Sequence, residues 1–521
     1  MRSEAKSFSI QQLRLNGSTI GLLLVLALAG LLRCWGLGAE SLWLDEATSL
    51  IVAENAPANI IRLTAEDIHP PAYYLLLHFW LVFGRNEAAL RSLSVVIGIL
   101  TVATVYALGR QLWDRRAGLV AALLLAVSSL HVWYSQEARM YGLLTLWALL
   151  SSLCMVLAWR RGGWLYWTGY VFTTTLGMYT HYYMGFIVLA QNLFAGYLLW
   201  GKMRPPARSP ATKQESCPRT QLMTWVIVQL AWIALFAPWA PVVIRQINQG
   251  GGRWVSYAVG RPTLRLLWDT FIGFSIGSAQ VLLPAWIKRT VYLLYLVVLG
   301  FALWPRPAGA LCRKSDVAVE KTGDPGRLFC LLLCVVPIGV AWLASQIKPM
   351  YSLRYLLPCL PAFCLLVAIG LRRLAGRWPA LGLILMSMLV VVNLSGVWEL
   401  LRAPQKPDWR GLTHQIVAQS RPGDVVLPEP FWNAKPLQYY SAGRLTINDS
   451  APMPATPAGV ATSVSAAVVG RQRLWLVEDV GHYGDPERIL AGYLNARYPQ
   501  LELWIVPGIG QVTLYDLGGN P

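Results

Sequence analysis

The chain has 521 residues, of which 55% are hydrophobic and only 13% are charged, and its mean hydropathy is +0.46. These values exclude a soluble globular protein of this length and indicate a multi-pass membrane protein. The formal net charge of +18 does not indicate nucleic-acid binding, because the Lys and Arg residues fall in short clusters between apolar runs.

A bilayer crossing needs about 20 apolar residues. The first such run follows a basic leader and is not followed by a small-residue cleavage site, so it predicts a retained first helix and not a signal peptide. We predict about 11 membrane spans, at 19–37, 90–109, 117–134, 142–159, 164–180, 184–200, 222–242, 284–304, 328–346, 355–371 and 379–398.

The basic clusters predict the orientation of these spans. With the N-terminus in the cytoplasm, 21 of the 44 Lys and Arg residues lie in the leader and in the connections 110–116, 160–161, 201–221, 305–327 and 372–377. Short cytoplasmic loops carry such an excess of positive charge. We therefore expect a protein integral to the cell membrane, with its C-terminal segment exported.

The segment 70–84, "PPAYYLLLHFWLVFG", is apolar but ambiguous. Counting it as a span would invert every later loop and place the basic segment 110–116 outside. We therefore expect it to lie on the outer membrane surface as an interfacial, aromatic-rich helix.

The polar tail predicts a second domain. We divide the chain into a transmembrane domain, 1–400, and a small extracytoplasmic α/β domain, 401–521. In the tail, strand-like "VVLPEP", "RLTIND", "RLWLVEDV" and "LELWIVPG" alternate with helical patterns such as "WRGLTHQIVAQS". Residues 449–463 are rich in Pro, Ala and Ser and predict a loop.

The unusual polar residues collect in the connections that this topology places outside. They occur in "SLWLDEATSL" (41–50), "EDIHPP" (66–71), "YSQEARMYG" (134–142), "YTHYY" (179–183) and "SQIKPMYSLRYLLP" (345–358). Ionisable groups near the membrane are costly and are usually functional. Acids, histidines and cations rimmed by Tyr and Trp suit a substrate with a lipid tail and an anionic head, which Arg and Lys would hold.

The adjacent acids Asp45 and Glu46 are the candidates for chemistry. An ionised carboxylate can take a proton from an acceptor hydroxyl while the hydroxyl oxygen attacks. Charged residues are few in this chain, so two adjacent carboxylates at the membrane edge favour a functional role. Alternatively, both acids could cap the following helix or be solvated residues of the loop.

The order of a basic leader, a first span, "LDEA", "HPP", "GRNEAALRSLSVVIG", "SQEARMYGL", "THYY" and "RYLLPCLP" resembles the membrane-embedded GT-C glycosyltransferases. Within them it is most similar to the protein O-mannosyltransferase and lipid A aminoarabinose transferase branch, over residues 15 to about 370. The resemblance implies inverting transfer of a monosaccharide from a polyprenyl-phosphate donor, on the outer face of the membrane, to an extracytoplasmic acceptor. It also implies that Asp45 is the catalytic base, with Glu46 beside it, and that His69 lies near donor or acceptor.

We expect substrate binding by nine residues: His69, Glu137, Arg139, Tyr141, His181, Tyr182, Lys348, Tyr351 and Arg354. Each has a structural alternative. Glu137 and Arg139 could form an ion pair at a helix end, and His69 could be a turn residue. His181 could belong to an interfacial aromatic belt, and the side chains of Lys348 and Arg354 could extend to lipid headgroups.

The sequence departs from its oligosaccharyltransferase relatives at the metal motif. Those relatives carry an Asp-rich motif in the second external loop, whereas this chain has only Glu137 beside Arg139. We therefore expect no required cofactor. If a divalent Mg²⁺ or Mn²⁺ binds, Asp45 and Glu137 are its candidate ligands, and Arg can supply part of the charge that a metal would bring to a leaving phosphate.

Two other functions compete with transfer. A transporter or flippase for a lipid-linked sugar would use the same anionic-lipid pocket without chemistry, but such proteins often carry internal repeats and mid-membrane charges. Neither occurs here. A binding scaffold would leave the one-sided polar cluster unexplained.

Overall fold

The computed structural model describes residues 17–203, 218–248, 261–304, 324–481 and 484–518. The basic leader and most of the predicted cytoplasmic connections 201–221 and 305–327 lie outside these ranges.

Residues 17–402 form 17 α-helices within the described ranges. In chain order they are α1 Gly17–Cys34, α2 Leu44–Ala53, α3 Pro57–Glu66, α4 Ala72–Trp80, α5 Glu87–Leu112, α6 Arg115–Val127, α7 Ser129–Ser135, α8 Tyr141–Arg161, α9 Trp164–Thr180, α10 Met184–Met203, α11 Pro218–Phe236, α12 Ala240–Asn248, α13 Leu264–Ser275, α14 Ala285–Leu303, α15 Pro325–Ala344, α16 Leu360–Arg377 and α17 Pro379–Arg402.

Nine helices of the described residues are long and apolar enough to cross a membrane, or ten if the bent pair α6 and α7 forms one span. The chain is therefore an integral, multi-pass membrane protein. The predicted span 164–180 corresponds to α9, which has 17 residues and is shorter than those nine. The count of about 11 stays a prediction.

The predicted span 117–134 is not one straight helix. It breaks at Ser128 into α6 and α7, whose axes differ by 66°. The fully buried guanidinium of Arg33 donates to the carbonyl oxygens of Ala126 (3.0 Å) and Leu125 (3.3 Å) at the end of α6. Carbonyl oxygens at the end of a helix lack the amide donors of a following turn, and the Arg33 guanidinium bonds them here instead. A buried cation therefore stabilises the bend, and the hydropathy pattern does not reveal it.

Small residues let α5 and α6 approach closely. A Cβ atom added at Gly109 of α5 would lie 2.8 Å from the Cα atom of Gly118 in α6. Membrane helices associate largely through such close packing of small residues. The connection between the two helices is tight because the Asp114 side chain accepts hydrogen bonds from the Arg116 and Ala117 amides and so caps α6.

The ambiguous segment 70–84 forms α4 and a 3-10 turn at Leu81–Phe83. Together these residues make an apolar helix that is shorter than the spanning helices. The position of α4 at the membrane interface stays a prediction.

The C-terminal unit is a small α/β structure, as the sequence predicts. Its helices are α18 Trp409–Gln419, α19 Ala434–Ser441, α20 Pro457–Val468 and α21 Ile489–Asn495, and its strands are β1 Asp424–Glu429, β2 Arg473–Asp479, β3 Gln500–Val506 and β4 Gly510–Asp516. The sheet order is β1-β2-β4-β3, with β1 parallel to β2 and β4 antiparallel to both its neighbours.

Helices bury both faces of the sheet at strands β1 and β2. Leu427 and Leu476 face a cluster that includes Val460 of α20, while Trp475 faces the cluster that includes Trp409 of α18. Both faces of β1 and β2 are therefore buried, which explains their nearly continuous apolar sequences.

Two sequence predictions for the tail are wrong in detail. "RLTIND" is not a strand, because it makes only an isolated bridge between Ile447 and Val426. The predicted loop 449–463 contains the start of α20, whose N-cap Thr456 accepts a hydrogen bond from the Gly459 amide. In addition, no strand was predicted for the residues of β4.

An unusual carboxyl group lies at the carboxyl end of β1. Glu429 is 2% exposed and neither of its carboxyl oxygens has a hydrogen-bond partner among the described residues. Burial, and then the nearby carboxylates of Asp485, Glu478 and Asp479, raise its pKa from 4.5 to about 7.

We predict that Glu429→Gln stabilises the protein at pH 8 relative to wild type, by about 2 kcal/mol. Folded Glu429 keeps its proton up to about pH 7, whereas the unfolded side chain loses it near 4.5. The folded state thus binds more protons in this window, and the free energy of unfolding falls as pH rises through it. Melting temperatures measured from pH 5 to 8 check this, with the exposed Glu502→Gln as the matched control. Parallel pH curves for wild type and Glu429→Gln would contradict it.

Candidate active site

Asp45 and Glu46 lie in the first turn of α2. The N-cap position is Trp43, and neither carboxylate caps the helix. Consecutive side chains of a helix project about 100° apart. The two acids therefore face different surroundings, and the structure gives them different partners.

Asp45 is held between two guanidinium groups. Its Oδ2 atom lies 3.0 Å from Arg354 Nη1 and 3.8 Å from Arg139 Nε. Its other oxygen, Oδ1, accepts no hydrogen bond within the described residues, and the side chain is 22% exposed. One oxygen of Asp45 is thus fixed in place while the other is left open to a ligand.

Arg139 is buried beneath Asp45. Its Nη1 atom lies 3.3 Å from the Asp45 carbonyl oxygen, from Ser49 Oγ and from Tyr74 Oη. Its Nε–H has no hydrogen-bond acceptor among the described residues. A buried guanidinium donor without an acceptor is costly and suits an anionic ligand.

Glu46 forms a fully buried ion cluster. Arg91 donates to both carboxylate oxygens, at 2.8 and 2.7 Å, and Lys406 Nζ lies 3.1 Å from Oε2. The backbone amide of Ala138 completes the set at 3.0 Å. Burial alone would raise the pKa of Glu46, but Lys406, Arg91 and the Ala138 amide lower it to about 2.

This cluster joins four parts of the chain: the first loop, helix α5, the turn before α8 and the start of the C-terminal unit. Arg91 also donates to the carbonyl oxygens of Leu37, Glu40 and Ser41, which hold the loop before α2. The prediction that Glu46 lies beside the base and orients the site or the acceptor stays a prediction, and its buried partners give it a structural means of orienting the site. Arg91 therefore has a structural role as the ion-pair partner of Glu46, an acid of the first external loop.

Histidine and tyrosine rings form the next layer of the site. The ring centroids of His69 and His181 are 5.6 Å apart, and those of His181 and Tyr355 are 4.8 Å apart. The ring centroids of Tyr141 and Tyr355 are 5.8 Å apart, and the Arg354 guanidinium carbon lies 5.6 Å from the Tyr141 ring centroid. The aromatic rings therefore pack around the cation that holds Asp45.

The surroundings of both histidines favour the neutral imidazole. Burial lowers the pKa of His69, although Asp67 at 3.6 Å opposes this. Burial and the nearby His69, Arg139 and Arg354 lower the pKa of His181 well below its usual range. A neutral imidazole can donate or accept a hydrogen bond without adding charge to the site.

Glu137 occupies a separate buried position. Its Oε2 atom accepts a hydrogen bond from Trp133 Nε1 at 3.0 Å, and burial raises its pKa to about 7. No ion pair within 4.0 Å joins Glu137 to Arg139, which instead faces Asp45. Within the described ranges no group of three or more His, Cys, Asp or Glu residues is arranged to hold a metal ion, and a metal-binding role of Asp45 and Glu137 stays a prediction.

The chain is similar to one protein family in sequence and to several solved structures in fold. A family model described as dolichyl-phosphate-mannose-protein mannosyltransferase matches residues 68–239, about a third of the sequence. No curated protein matches the sequence.

The structural matches extend over almost the whole chain. ArnT from Cupriavidus metallidurans in the apo state covers 96% of this chain and 98% of its own, with a TM-score of 0.59 and 12% identity. The same protein bound to undecaprenyl phosphate covers 95% and 98%, with a TM-score of 0.52 and 13% identity. This chain has the GT-C fold.

A third GT-C structure supports the assignment. The Archaeoglobus fulgidus oligosaccharyltransferase in complex with Zn and sulfate covers 94% of this chain and 72% of its own, with a TM-score of 0.53 and 11% identity. The fold class predicted from the sequence, a polytopic helical GT-C-like protein with a small C-terminal α/β unit, is thereby confirmed.

The GT-C fold brings only some of the predicted residues together. Asp45, His69, Arg139, Tyr141, His181 and Arg354 converge on one cluster. Tyr182 instead bonds Gln246 and Trp239, and Tyr351 bonds Thr270. Lys348 is exposed, and its side chain forms no hydrogen bond or ion pair within the described residues.

Sequence reasoning missed Tyr74 and Lys406, which contact Arg139 and Glu46 in the GT-C fold. Tyr74 lies three residues after the "HPP" motif, 69–71, and this closeness in the chain was the available signal. Lys406 lies 360 residues from Glu46 in the chain, and no local pattern could have paired them.

We predict that Glu46→Gln destabilises the protein by about 3–5 kcal/mol, because it leaves Arg91 and Lys406 buried without their counter-charge. Thermal unfolding in nanodiscs checks this. Glu66→Gln in the same loop is the matched control, because its side chain is 61% exposed and surface pairs contribute about 1 kcal/mol or less. Equal melting temperatures for the two variants would contradict a structural role for Glu46.

Proposed function

We propose that this protein is an inverting glycosyltransferase. It moves a monosaccharide from a polyprenyl-phosphate carrier to a hydroxyl group of an extracytoplasmic protein, lipid or cell-envelope glycan. The observation that carries the proposal is the Asp45 carboxylate, with Oδ2 held by Arg139 and Arg354 and Oδ1 open. The GT-C fold and the family-model match support it.

The open oxygen of Asp45 suits the role of general base. A base must lie within hydrogen-bond reach of the proton that it removes. Asp45 Oδ1 takes the proton of the acceptor hydroxyl while the acceptor oxygen attacks the anomeric carbon of the sugar. The bond from that carbon to the phosphate oxygen breaks, and the phosphate leaves with the electron pair from the opposite side, so the configuration inverts.

The cations around Asp45 suit the leaving phosphate. Arg139 and Arg354 carry two positive charges against the single charge of Asp45, and the two buried histidines are neutral. The Tyr141 hydroxyl has no hydrogen-bond partner among the described residues, and Arg139 Nε lies 3.8 Å from Asp45 Oδ2, beyond hydrogen-bond distance, so both can donate to phosphate oxygens. Donors placed where negative charge develops stabilise the transition state.

A polyprenyl tail fits the membrane setting of this site. The tail remains in the lipid while the phosphate reaches the Arg139 and Arg354 side chains. The solved ArnT structure with undecaprenyl phosphate supports a carrier of this class. The positive-inside pattern supports a site and a C-terminal domain, 401–521, on the extracytoplasmic side.

We predict that Asp45→Asn lowers the transfer rate by roughly 10²–10⁴, the usual contribution of a general base. The amide cannot take the proton, while the arginines that bind phosphate remain. The measurement is release of polyprenyl phosphate from a lipid-linked sugar donor and acceptor in nanodiscs. Glu54→Gln, at the other end of α2, is the matched control and should keep near wild-type turnover.

Near-normal turnover by Asp45→Asn would remove Asp45 from the mechanism. If the wild-type protein moves the lipid-linked sugar across a bilayer but never releases polyprenyl phosphate, the protein is a transporter or flippase instead.

We predict that transfer continues in EDTA, with less than about a twofold loss of rate. The guanidinium groups of Arg139 and Arg354 supply charge that Mg²⁺ or Mn²⁺ would otherwise bring to the phosphate. Turnover before and after chelation, followed by addition of each metal, checks this. A loss of activity that Mg²⁺ or Mn²⁺ restores would contradict it and make Asp45 and Glu137 the first ligands to test.

A further inference from the structure

The end of helix α12 contacts two other segments of the chain through one side chain. Gln246, which is 7% exposed, lies in the last turn of this helix. Its amide nitrogen donates to the carbonyl oxygen of Thr64 at 3.1 Å and to that of Asp67. Its amide oxygen accepts a hydrogen bond from the Tyr182 hydroxyl at 2.7 Å. One buried amide therefore joins the end of α3 to the turn that follows α9.

The first of these segments is the end of α3. The last carbonyl groups of a helix lack the amide donors of a following turn. Gln246 supplies donors there, and the exposed Arg245 adds one to the Ala65 carbonyl oxygen at 3.0 Å. The chain leaves α3 at Asp67, whose carboxylate lies 3.6 Å from His69 Nδ1. The bonds from α12 thus fix the start of the segment that carries His69.

The second segment is the turn between α9 and α10. Its Tyr182 hydroxyl also accepts a hydrogen bond from Trp239 Nε1 at 3.0 Å, so this side chain is held from two sides. In the same turn the Tyr183 amide donates to His181 Nδ1 at 3.2 Å. A neutral imidazole that accepts at Nδ1 carries its proton on Nε2. The turn therefore leaves the Nε2–H group of His181 as a hydrogen-bond donor.

His181 packs among the residues that surround Asp45. Its ring centroid is 4.8 Å from that of Tyr355 and 5.6 Å from that of His69. The Tyr355 ring centroid also lies 5.3 Å from the guanidinium carbon of Arg354, which pairs with Asp45. A shift of the turn after α9 would therefore move His181 relative to Arg354.

We propose that Gln246 is a positioning residue of this site. By joining the turn after α9 to the end of α3, it holds His181 where its Nε2–H group donates to the phosphate of the lipid-linked donor. Gln246 acts through His181, because both ends of its own amide are already bonded within the protein. The inference rests on the proposed function and adds to it a residue of α12.

The bonding pattern distinguishes this role from that of an ordinary helix cap. A cap of α3 needs only donors, and the exposed Arg245 already supplies one. Gln246 is buried, and its amide oxygen accepts a hydrogen bond from Tyr182 in another segment. Buried polar groups are nearly always hydrogen-bonded, and an amide bonded at both ends holds two segments at one distance. A cap alone does not do this.

The experiment measures the affinity of undecaprenyl phosphate for purified full-length protein in nanodiscs. Gln246→Met removes both sets of amide bonds and keeps a side chain of similar length. Gln191→Met is the matched control. The Gln191 amide is also buried, and it bonds Tyr170 at 3.2 Å and Ser151 at 2.9 Å, on α9 and α8. Undecaprenol, which lacks the phosphate, is the control ligand.

We expect Gln246→Met to weaken undecaprenyl phosphate binding about tenfold, the equivalent of one hydrogen bond to a charged group. His181→Ala should cause a similar loss. The double variant should bind about as weakly as either single variant, because residues that act through one contact are not additive. Gln191→Met should keep wild-type affinity, and undecaprenol binding should not change in any variant.

Melting temperature checks the folding of each variant. If Gln246→Met is unstable, Tyr182→Phe gives the same comparison, because it removes only the bond to the Gln246 amide oxygen. A purely structural role of Gln246 would lower the melting temperature and leave the phosphate affinity of the folded protein unchanged.

Unchanged undecaprenyl phosphate affinity in folded Gln246→Met or His181→Ala, or an equal loss in Gln191→Met, would overturn the inference. Losses that multiply in the double variant would also overturn it, because Gln246 would then not act through His181. If Asp45→Asn still lowers transfer in these cases, the proposed function stands without Gln246. If wild-type protein binds undecaprenyl phosphate no better than undecaprenol, both the inference and the proposed donor fail.

Discussion

The buried pairing of Glu46 with Arg91 is the interaction on which the rest of the site depends. A carboxylate and a guanidinium that leave water together must satisfy nearly all of their hydrogen bonds within the protein. Glu46 does so with Arg91, Lys406 and the Ala138 amide, and Arg91 does so with three loop carbonyls. These bonds hold α2 in one position relative to α5 and the turn before α8.

The fixed position of α2 separates the roles of its two acids. Because consecutive helix positions differ by about 100°, Glu46 enters the buried cluster while Asp45 faces Arg139 and Arg354, which bind one of its oxygens. A carboxylate with one oxygen bound and the other open has a defined orientation, which positioned proton transfer requires. The adjacent acids of the first loop therefore have different physical tasks.

The C-terminal unit also depends on this cluster. Lys406 enters it directly, and Tyr440 bonds the backbone just before α2. A unit attached in this way helps to fix the first loop, which carries Asp45 and Glu46.

The sequence alone determined the membrane class, most span positions and the small α/β unit, because these follow from local hydropathy and periodicity. It also indicated Asp45, Arg139, His181 and Arg354 as candidate site residues, because ionisable groups near a membrane are rare. Only the tertiary structure decided that Glu46 is buried with Lys406, that Arg33 bonds the carbonyl oxygens at the bend in the predicted span 117–134, and that Tyr182 and Tyr351 form hydrogen bonds elsewhere. Such contacts join residues tens to hundreds of positions apart, and local patterns carry no information about which distant groups will meet.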